Sequence, residues 1–254
     1  MNKASFYRIV FLLSVVVFNS CKTKKDVVYF QNAKNFETIV DTDTFEVKLK
    51  VGDLVSIFVS TLDPALAQPY NPVVGGGAQA TPIDYIIDKD GNIDFPVLGK
   101  VKLLGLTVEE VKELFKSKFE DGKLLKNPVI IVRIRNFRVT VSGEVNSPGV
   151  YPVSGDRISI LEALGLAGDL TIKGRRDNIL VIRDFNGTKT YTRIDITNKE
   201  VFNSPVYYLT QNDVIYVEPN NSSISAASGD SRINTIITIT SFLLTTALIF
   251  VTRN

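Results

Sequence analysis

The chain has 254 residues, of which 44% are hydrophobic and 22% are charged, and its formal net charge is +2. These proportions are typical of a globular protein, because the charges are too few for a disordered chain and too many for a polytopic membrane protein. The length corresponds to about two domains of ordinary size.

Histidine is absent, and cysteine occurs once, at position 21. Zinc sites need clustered cysteine and histidine side chains, so the composition excludes them. The Ser-His-Asp and Cys-His forms of nucleophilic catalysis are excluded for the same reason. Because no disulfide can form within the chain, Cys21 is free, modified or removed.

The N-terminus has the pattern of a secretory signal. Lys3 and Arg8 give a basic start, and the uncharged stretch 9–18 has the length of a signal-peptide core and is too short to span a membrane. The following FNSC places Ser20 directly before Cys21, which resembles a bacterial lipoprotein signal whose cysteine is acylated after cleavage. We therefore predict lipidation at Cys21. An uncleaved anchor and an ordinary secretory signal that leaves a free cysteine are the alternatives.

The charge of the mature chain argues against nucleic acid as a partner. Cleavage would remove Lys3 and Arg8 and lower the basic residues from 29 to 27, which equals the 27 acidic residues. No net positive field then remains to attract nucleic acid. Lys22 follows the cysteine, which resembles lipoproteins sent on to the outer membrane.

The first part of the mature chain predicts a tether, two strands and a loop. KTKKDVVYFQNAKNF after the cysteine is polar, as expected of a tether. Residues 45–60 alternate apolar and polar side chains around Gly52-Asp53, which predicts two strands joined by a turn. Residues 61–82 are rich in Pro, Gly and Ala and predict a long loop. The run Gly75-Gly76-Gly77 lacks the Lys-Ser/Thr of a phosphate-binding loop, which favours a flexible loop.

Residues 83–101, IDYIIDKDGNIDFPVLGKV, alternate on both sides of Asp90-Gly91 and predict a hairpin. DKDGNID is also similar to a calcium-binding loop. However, Gly91 comes too early for an EF-hand, so the pattern argues against calcium.

The stretch LTVEEVKELFKSKFEDGKL predicts an amphipathic helix. Thr107 and Glu110 have the spacing of a capping box, and Gly122 marks the end. The adjacent Glu109 and Glu110 point to different faces and make a poor catalytic pair. The apolar residues at helical spacing are Val108, Val111, Leu114, Phe115 and Phe119.

Residues 127–145 alternate again and carry Arg133, Arg135 and Arg138 close together in sequence. A basic binding face and a solvated sheet face are the two alternatives for these arginines.

A second unit of strands around one helix begins at Arg138. Pro148-Gly149 predicts a turn between strands, and ISILEALGLAGDL predicts a short helix stopped by Gly168. Asn186-Gly187 predicts a hairpin turn. Residues 204–219 predict two last strands.

The tail INTIITITSFLLTTALIFVTRN contains no charge up to Val251. Wound as a helix, it is long enough to cross a hydrocarbon layer of about 30 Å, whereas a lone strand would leave its backbone unsatisfied there. As a helix it would place a narrow polar stripe on one face, formed by Asn234, Thr238, Ser241 and Thr245. The stripe is a candidate for a pore lining or a helix interface, and a monomeric anchor with tolerated threonines is the third alternative.

Four stretches of the sequence carry a resemblance to a known family. FEVKLKVGDLVSIFV, YIIDKDGNIDFPVLGKVKLLGLTVEEVKELF and NPVIIVRI are together similar to the export domain of polysaccharide export outer-membrane lipoproteins of Gram-negative bacteria. VTVSGEVNSPGVYPVSGDRISILEALGLAGDL is similar to the soluble-ligand-binding β-grasp domain that follows it in that family.

The resemblance implies an α+β fold class, with two small periplasmic β-grasp-like/export modules and one C-terminal transmembrane helix. The expected organisation is a signal peptide at 1–20, a tether at 21–44, an export domain at 45–136, a β-grasp domain at 137–219, a linker at 220–232 and a transmembrane helix at 233–251. The chain has one clear β-grasp unit where larger members carry more, so we expect a shorter periplasmic chamber.

The resemblance also implies secretion of capsular polysaccharide or exopolysaccharide through a homo-oligomeric ring, typically eightfold, whose C-terminal helices form an outer-membrane pore. The expected partners are the polysaccharide, further copies of the chain, membrane lipid and an inner-membrane polysaccharide co-polymerase, often a tyrosine autokinase. The family supplies no catalytic residue, cofactor or metal ligand to transfer. We expect a lipid-anchored protein of the cell outer membrane, with most of the chain in the periplasm.

Two other functions remain open from the sequence. A carbohydrate hydrolase would need paired carboxylates, for which Asp88 and Asp94 are candidates. Both flank a turn, however, where aspartate is favoured for turn formation alone. A non-channel lipoprotein would recognise glycan through the β-grasp unit and use the tail only as an anchor.

Overall fold

The computed structural model describes residues 27–35, 45–76, 81–185, 187–221, 223–224 and 231–252. Two separate hydrophobic cores form within these residues. We call the parts of the chain around them the first module, residues 49–135, and the second module, residues 137–219.

The first module combines small sheets with one long helix. Its described elements are β1 (Leu54–Ser60), α1 (Pro64–Ala67), β2 (Val73–Val74), β3 (Thr81–Pro82), β4 (Asp84–Ile86), β5 (Asn92–Phe95), β6 (Gly99–Lys102), α2 (Val108–Asp121) and β7 (Val129–Ile134). Strand β1 lies between β4 and β7 and is antiparallel to both. The predicted strand before Gly52 is not formed, because residues 45–50 make only one bridge, from Lys48 to Thr107.

Helix α2 confirms the sequence prediction. The Thr107 Oγ1 accepts a hydrogen bond from the Glu110 N–H at 3.2 Å, and the Glu110 carboxylate accepts one from the Thr107 N–H at 2.8 Å. Val111, Phe115 and Phe119 are fully buried against the sheets. The helix therefore closes the first core with its apolar stripe.

The predicted hairpin at Asp90-Gly91 is wrong in its strand pairing. The turn itself forms, since the Gly91 N–H donates to the Asp88 carbonyl at 2.9 Å. However, β4 pairs with β1, and β5 pairs with β6 through a turn that contains Val97 at a positive φ of 67°. A local turn signal therefore predicts the turn but not which strands pair.

The second module is a five-stranded sheet with a helix on one face. Its described elements are β8 (Arg138–Gly143), β9 (Gly149–Pro152), α3 (Ile160–Leu166), β10 (Gly174–Phe185), β11 (Thr188–Ile194) and β12 (Val214–Pro219). The strand order is β11-β10-β12-β8-β9, and β12 is parallel to β8. Gly143 has a φ of +88°, and a Cβ there would lie 2.1 Å from the Val217 carbonyl oxygen. Glycine is therefore required where β8 meets β12.

Two local predictions in the second module differ in outcome. The β10–β11 hairpin is confirmed, with Phe185 opposite Thr188 and Gly187 at a φ of +84°. Residues 204–219 form one strand instead of the predicted two, because the stretch before β12 makes only an isolated bridge between Tyr208 and Ser159.

Part of the predicted tether lies against the second module. The Gln31 N–H donates to the Thr197 carbonyl at 2.7 Å, and the rings of Phe30 and Phe202 stack with centroids 5.2 Å apart. The Tyr29 hydroxyl donates to the Asp169 carboxylate. Tyr29 and Phe30 thus extend the second core.

The tail forms helix α4 (Ser231–Thr252), so the prediction of a helix in place of a strand is confirmed. Among the residues that the structure describes, no helix combines the length and the apolar character that crossing a membrane requires.

Candidate functional site at the junction of the two modules

Residues 45–50 connect the two hydrophobic cores. Val47 is buried in the core of the second module, whereas Leu49 is buried in the core of the first. Leu49 is fixed there by two backbone hydrogen bonds, its N–H to the Leu106 carbonyl at 2.8 Å and its carbonyl to the Gly105 N–H at 2.9 Å. This segment therefore brings Lys50 to the boundary between the modules.

Lys50 carries its charge into this boundary and is 8% exposed. Its Nζ donates hydrogen bonds to the Thr210 Oγ1 at 2.8 Å, the Asp184 carbonyl at 2.9 Å and the Gln211 carbonyl at 3.3 Å. Burial lowers the pKa of Lys50, and the negative charge of Asp213 opposes that shift. All three acceptors belong to the second module, so one side chain joins the modules.

Asp213 continues this network inside the second module and is completely buried. Its carboxylate accepts hydrogen bonds from the Arg183 Nη2 at 2.8 Å, the Thr210 N–H at 2.7 Å and the Thr210 Oγ1 at 3.0 Å. The Thr210 hydroxyl thus accepts from Lys50 and donates to Asp213. A continuous chain of polar contacts leads from Lys50 through Thr210 and Asp213 to Arg183.

Two turns of the same kind face each other across the junction. The Asp53 carboxylate accepts from the Lys50 N–H at 2.8 Å, and the Asp213 carboxylate accepts from the Thr210 N–H at 2.7 Å. Each turn has one residue at positive φ, Gly52 at 85° and Asn212 at 63°, and each leads directly into a strand, β1 or β12. The two modules therefore meet through equivalent turns.

Asn136, the residue between the modules, is held from both sides. Its side-chain oxygen accepts from the Leu54 N–H at 2.9 Å, and its side-chain nitrogen donates to the Gly52 carbonyl at 3.1 Å. Its own carbonyl accepts from the Gln211 Nε2 at 2.5 Å. The Gln211 side-chain oxygen accepts from the Arg138 N–H at 2.7 Å. The covalent connection is thereby fixed to both turns.

Asp53 is the titratable group of this junction with a pKa near neutrality. It is buried, and burial raises the pKa of its carboxyl to about 6, while the hydrogen bond from the Lys50 N–H and the positive charge of Lys50 oppose this shift. Ionisation of Asp53 in the folded protein therefore occurs at a higher pH than in an unfolded chain.

Two clefts lie beside the junction. The first has a volume of about 730 Å³, and its lining includes Lys50, Asp53, Lys89, Asp184, Lys189 and Gln211. The second has a volume of about 520 Å³, and its lining includes Arg133, Arg135, Phe137, Pro152, Ser154 and Asp156. Their ammonium, guanidinium, amide and carboxylate groups are suited to hydrogen bonds with hydroxyl-rich ligands. Within the described ranges, no group of three or more potential metal ligands occurs.

The three arginines that lie close together in sequence do not form one surface in the structure. Arg133 and Arg135 line the second cleft, and Arg135 lies 3.5 Å from the Asp84 carboxylate. The Arg138 Nε donates instead to the Asn212 side chain at 3.2 Å. Arg138 therefore belongs to the junction and does not complete a basic face with the other two.

Asp88, one of the two carboxylates considered for a hydrolase, stabilises the turn at Asp90-Gly91. Its Oδ1 accepts hydrogen bonds from the Asp90 N–H at 2.9 Å and the Asn92 N–H at 2.8 Å. Asp94 lies on β5 with its side chain exposed. These contacts favour the structural interpretation of Asp88 over a catalytic one.

The predicted tail stripe lies on α4, and Cys21 lies outside the described residues. Thr238, Ser241 and Thr245 share one face of the helix, while the side chain of Asn234 is also outside the described part. The Ser241 hydroxyl donates to the Ile237 carbonyl at 2.7 Å, and the Thr245 hydroxyl donates to the Ser241 carbonyl at 2.6 Å. Each hydroxyl proton is thus satisfied within the helix.

The junction residues Lys50, Asp53, Arg183 and Asp213 were missed by the sequence analysis. One signal was available, because KVGDLVSIFV and TQNDVIYV both place Gly-Asp or Asn-Asp directly before an apolar strand. This repetition could have indicated two equivalent turns. It could not have shown that the turns meet, since they are far apart in sequence.

Comparison with known proteins identifies both modules. Residues 41–135 match the family model described as polysaccharide biosynthesis/export protein, and residues 138–193 match the SLBB domain model. Together the two ranges cover more than half of the chain.

Two curated relatives are similar to this chain, and both are named EPS I polysaccharide export outer membrane protein EpsA. The relative from Ralstonia solanacearum is 25% identical over 195 residues, which are 72% of this chain and 50% of the relative. The relative from Ralstonia nicotianae is 29% identical over 157 residues, which are 57% of this chain and 40% of the relative. The matched part of the chain thus spans half or less of their length.

Replacement of Lys50 by methionine tests the junction. Methionine has a side chain of similar length but cannot make the three hydrogen bonds of the Lys50 Nζ. We therefore expect the free energy of unfolding to fall by about 1–3 kcal/mol. Urea unfolding measures this loss. Lys48→Met is the matched control, because Lys48 lies on the same segment with its side chain exposed. Equal losses in the two variants would contradict the proposed contribution of Lys50.

Asp53 predicts a pH dependence of stability. Because its pKa is about 6 in the folded protein and about 3.9 in an unfolded chain, its stabilising contribution is fully present below about pH 3.9 and is lost as the pH rises through about 6. The difference in unfolding free energy between wild type and Asp53→Asn should therefore fall between about pH 4 and about pH 7. Parallel stability curves for the two proteins would refute this assignment.

Proposed function

Because the chain belongs to the polysaccharide biosynthesis/export family, we propose that it is an outer-membrane component of capsular polysaccharide or exopolysaccharide export. In this proposal, copies of the chain form a ring-shaped conduit through which the polymer passes. The names of the two relatives support the export role and the outer-membrane location.

The observation that carries the conduit proposal is the exposure of α4. Every side chain of α4 that is described is exposed, including the large apolar Ile236, Ile239 and Phe242, the last at 69%. Apolar surface of this extent in one helix requires cover from lipid or from other helices. In this proposal α4, whose 22 residues extend over about 33 Å, provides the membrane-embedded part of the conduit.

The polar stripe favours a ring of associated helices in preference to a single anchoring helix. Thr238, Ser241 and Thr245 lie on one face of α4, and small polar residues on one face are typical of contacts between helices in membranes. In the proposed ring this stripe faces neighbouring copies or the water between them. The apolar side chains of Ile236 and Ile239 then face lipid.

We also propose that Cys21 is lipidated, so that the start of the mature chain is attached to the outer membrane and both modules lie in the periplasm. The conduit needs no nucleophile, because it moves the polymer without breaking it. An inner-membrane polysaccharide co-polymerase, such as a tyrosine autokinase, would dock below the ring, and polymerisation would supply the driving force.

The first cleft favours a second candidate function. A volume of about 730 Å³ lined by lysine, amide and carboxylate groups is in the size range of small-molecule sites. A glycan-binding outer-membrane lipoprotein that forms no channel could use this cleft for recognition. It would then use α4 only as an anchor.

Polysaccharide output in the host distinguishes the two functions. Deletion of residues 231–252 should abolish surface polysaccharide and leave polymer or its precursors inside the cell. The matched variant replaces Thr238, Ser241 and Thr245 by leucine, which keeps a helix of the same length and removes the stripe. The conduit predicts lost output in both variants, measured by staining and quantification of surface polymer. Normal output from both would exclude the conduit and leave the glycan-binding function.

Cysteine cross-linking in membranes tests the ring directly. With Cys21 acylated, Ser241→Cys introduces the free thiol on the striped face, and oxidation should give disulfide-linked dimers at high yield. Ile239→Cys is the control, because Ile239 lies on the opposite face of α4 and should cross-link less. If both variants remain monomeric after oxidation, the helices do not associate.

A further inference from the structure

One loop of the second module, residues 169–174, receives the segment that follows the proposed lipid anchor. The Tyr29 hydroxyl donates to the Asp169 carboxylate, and the Arg176 guanidinium lies over the Tyr29 ring at 5.8 Å. Arg176 is buried, and its Nη1 donates to the Gly174 carbonyl at 2.9 Å. Tyr29 is therefore fixed at this loop by both its ring and its hydroxyl.

The same loop also holds the chain where it leaves the second module toward α4. The Asn220 N–H donates to the Lys173 carbonyl at 2.7 Å, and the Asn220 side chain donates to the Ile172 carbonyl at 3.3 Å. Asn220 directly follows the last residue of β12. Both connections to the proposed membrane attachments thus leave the module at one place.

Chain length limits how far this loop can lie from the membrane. Tyr29 follows Cys21 by eight positions, and an extended chain spans at most about 3.6 Å per residue, so the two are less than about 29 Å apart. Asn220 precedes Ser231 by eleven positions, which sets a limit of about 40 Å by the same rule. Both connections therefore keep the loop within about 40 Å of the proposed membrane attachments.

The exposed side chains of the loop have the chemistry of a membrane interface. Ile172 is 68% exposed, and Leu166 at the end of α3 is also exposed. Lys173 is exposed beside Ile172. Two nearby carboxylates accept hydrogen bonds from hydroxyl groups. Glu144 accepts one from Thr171 at 2.8 Å, and Asp169 accepts one from Tyr29. An apolar side chain with an adjacent cation suits the boundary between acyl chains and phosphate groups.

We propose that the loop 169–174 is a membrane-contacting surface. Ile172 enters the interface of the phospholipid leaflet, and the Lys173 ammonium contacts lipid phosphate. The inference rests on the proposed lipidation of Cys21 and names the surface by which the second module meets the bilayer. The partner is a lipid surface, not a second protein.

A fluorophore that responds to polarity, attached to a cysteine at position 172, tests this contact. The acylated full chain with Ile172→Cys is labelled and reconstituted into vesicles of phosphatidylethanolamine and phosphatidylglycerol. The emission should shift to shorter wavelength and be quenched by a spin label on the lipid headgroup. Leu62→Cys is the matched control, because Leu62 is a fully exposed apolar residue of the first module. Its emission should not change.

Flotation of the same vesicles separates the two proposals. If the protein fails to float with lipid, the anchoring proposal fails, and the loop contact fails with it. If the protein floats but the label at position 172 stays as exposed to water as the label at position 62, only the loop contact is wrong. A wavelength shift at position 172 alone supports the contact.

Discussion

The buried ammonium group of Lys50 is the interaction on which the arrangement of the two modules depends. A charge removed from water is costly unless strong hydrogen bonds replace its hydration. Lys50 Nζ finds three acceptors, and all of them belong to the second module. Any other orientation that still excluded water from the boundary would leave the ammonium group and these acceptors without hydrogen-bond partners. The junction therefore favours one orientation over all others, and the bonded chain to Asp213 and Arg183 extends that preference into the second core.

A single preferred orientation suits the proposed assembly. In a closed ring every copy must present the same surfaces at the same angle to its neighbours, because any variation between copies accumulates around the circle. Asn136 is hydrogen-bonded to both modules, and segment 45–50 contributes residues to both cores. Together with Lys50 they limit such variation. We also expect this junction to respond to pH. The Asp53 carboxylate accepts a hydrogen bond from the Lys50 N–H, and its pKa is about 6.

The sequence predicted those features whose causes are local. The capping box of Thr107 and Glu110, the stripe of α2 and the turn at Gly187 depend on neighbouring residues, and all are confirmed. The pairing of β4 with β1 and the absence of the predicted strand before β12 depend on contacts between segments distant in sequence, so periodicity could not reveal them. The junction was missed for the same reason. A lysine in a predicted turn does not indicate that its hydrogen-bond acceptor, Thr210, lies 160 positions away in sequence. Family resemblance supplied the two modules, but not the contacts between them.

The docked segment at Tyr29 and Phe30 also has a consequence for the order of folding. Phe30 stacks on Phe202, and Tyr29 bonds a residue 140 positions later. Contacts of such high sequence separation carry a large loop-closure entropy, so they become favourable once the intervening chain has ordered. In a chain delivered from its N-terminus, Phe30 would therefore emerge long before its partner Phe202 is available. If Cys21 is lipidated as proposed, completion of the second module shortens the free chain between the lipid and the fold to the residues that precede Tyr29.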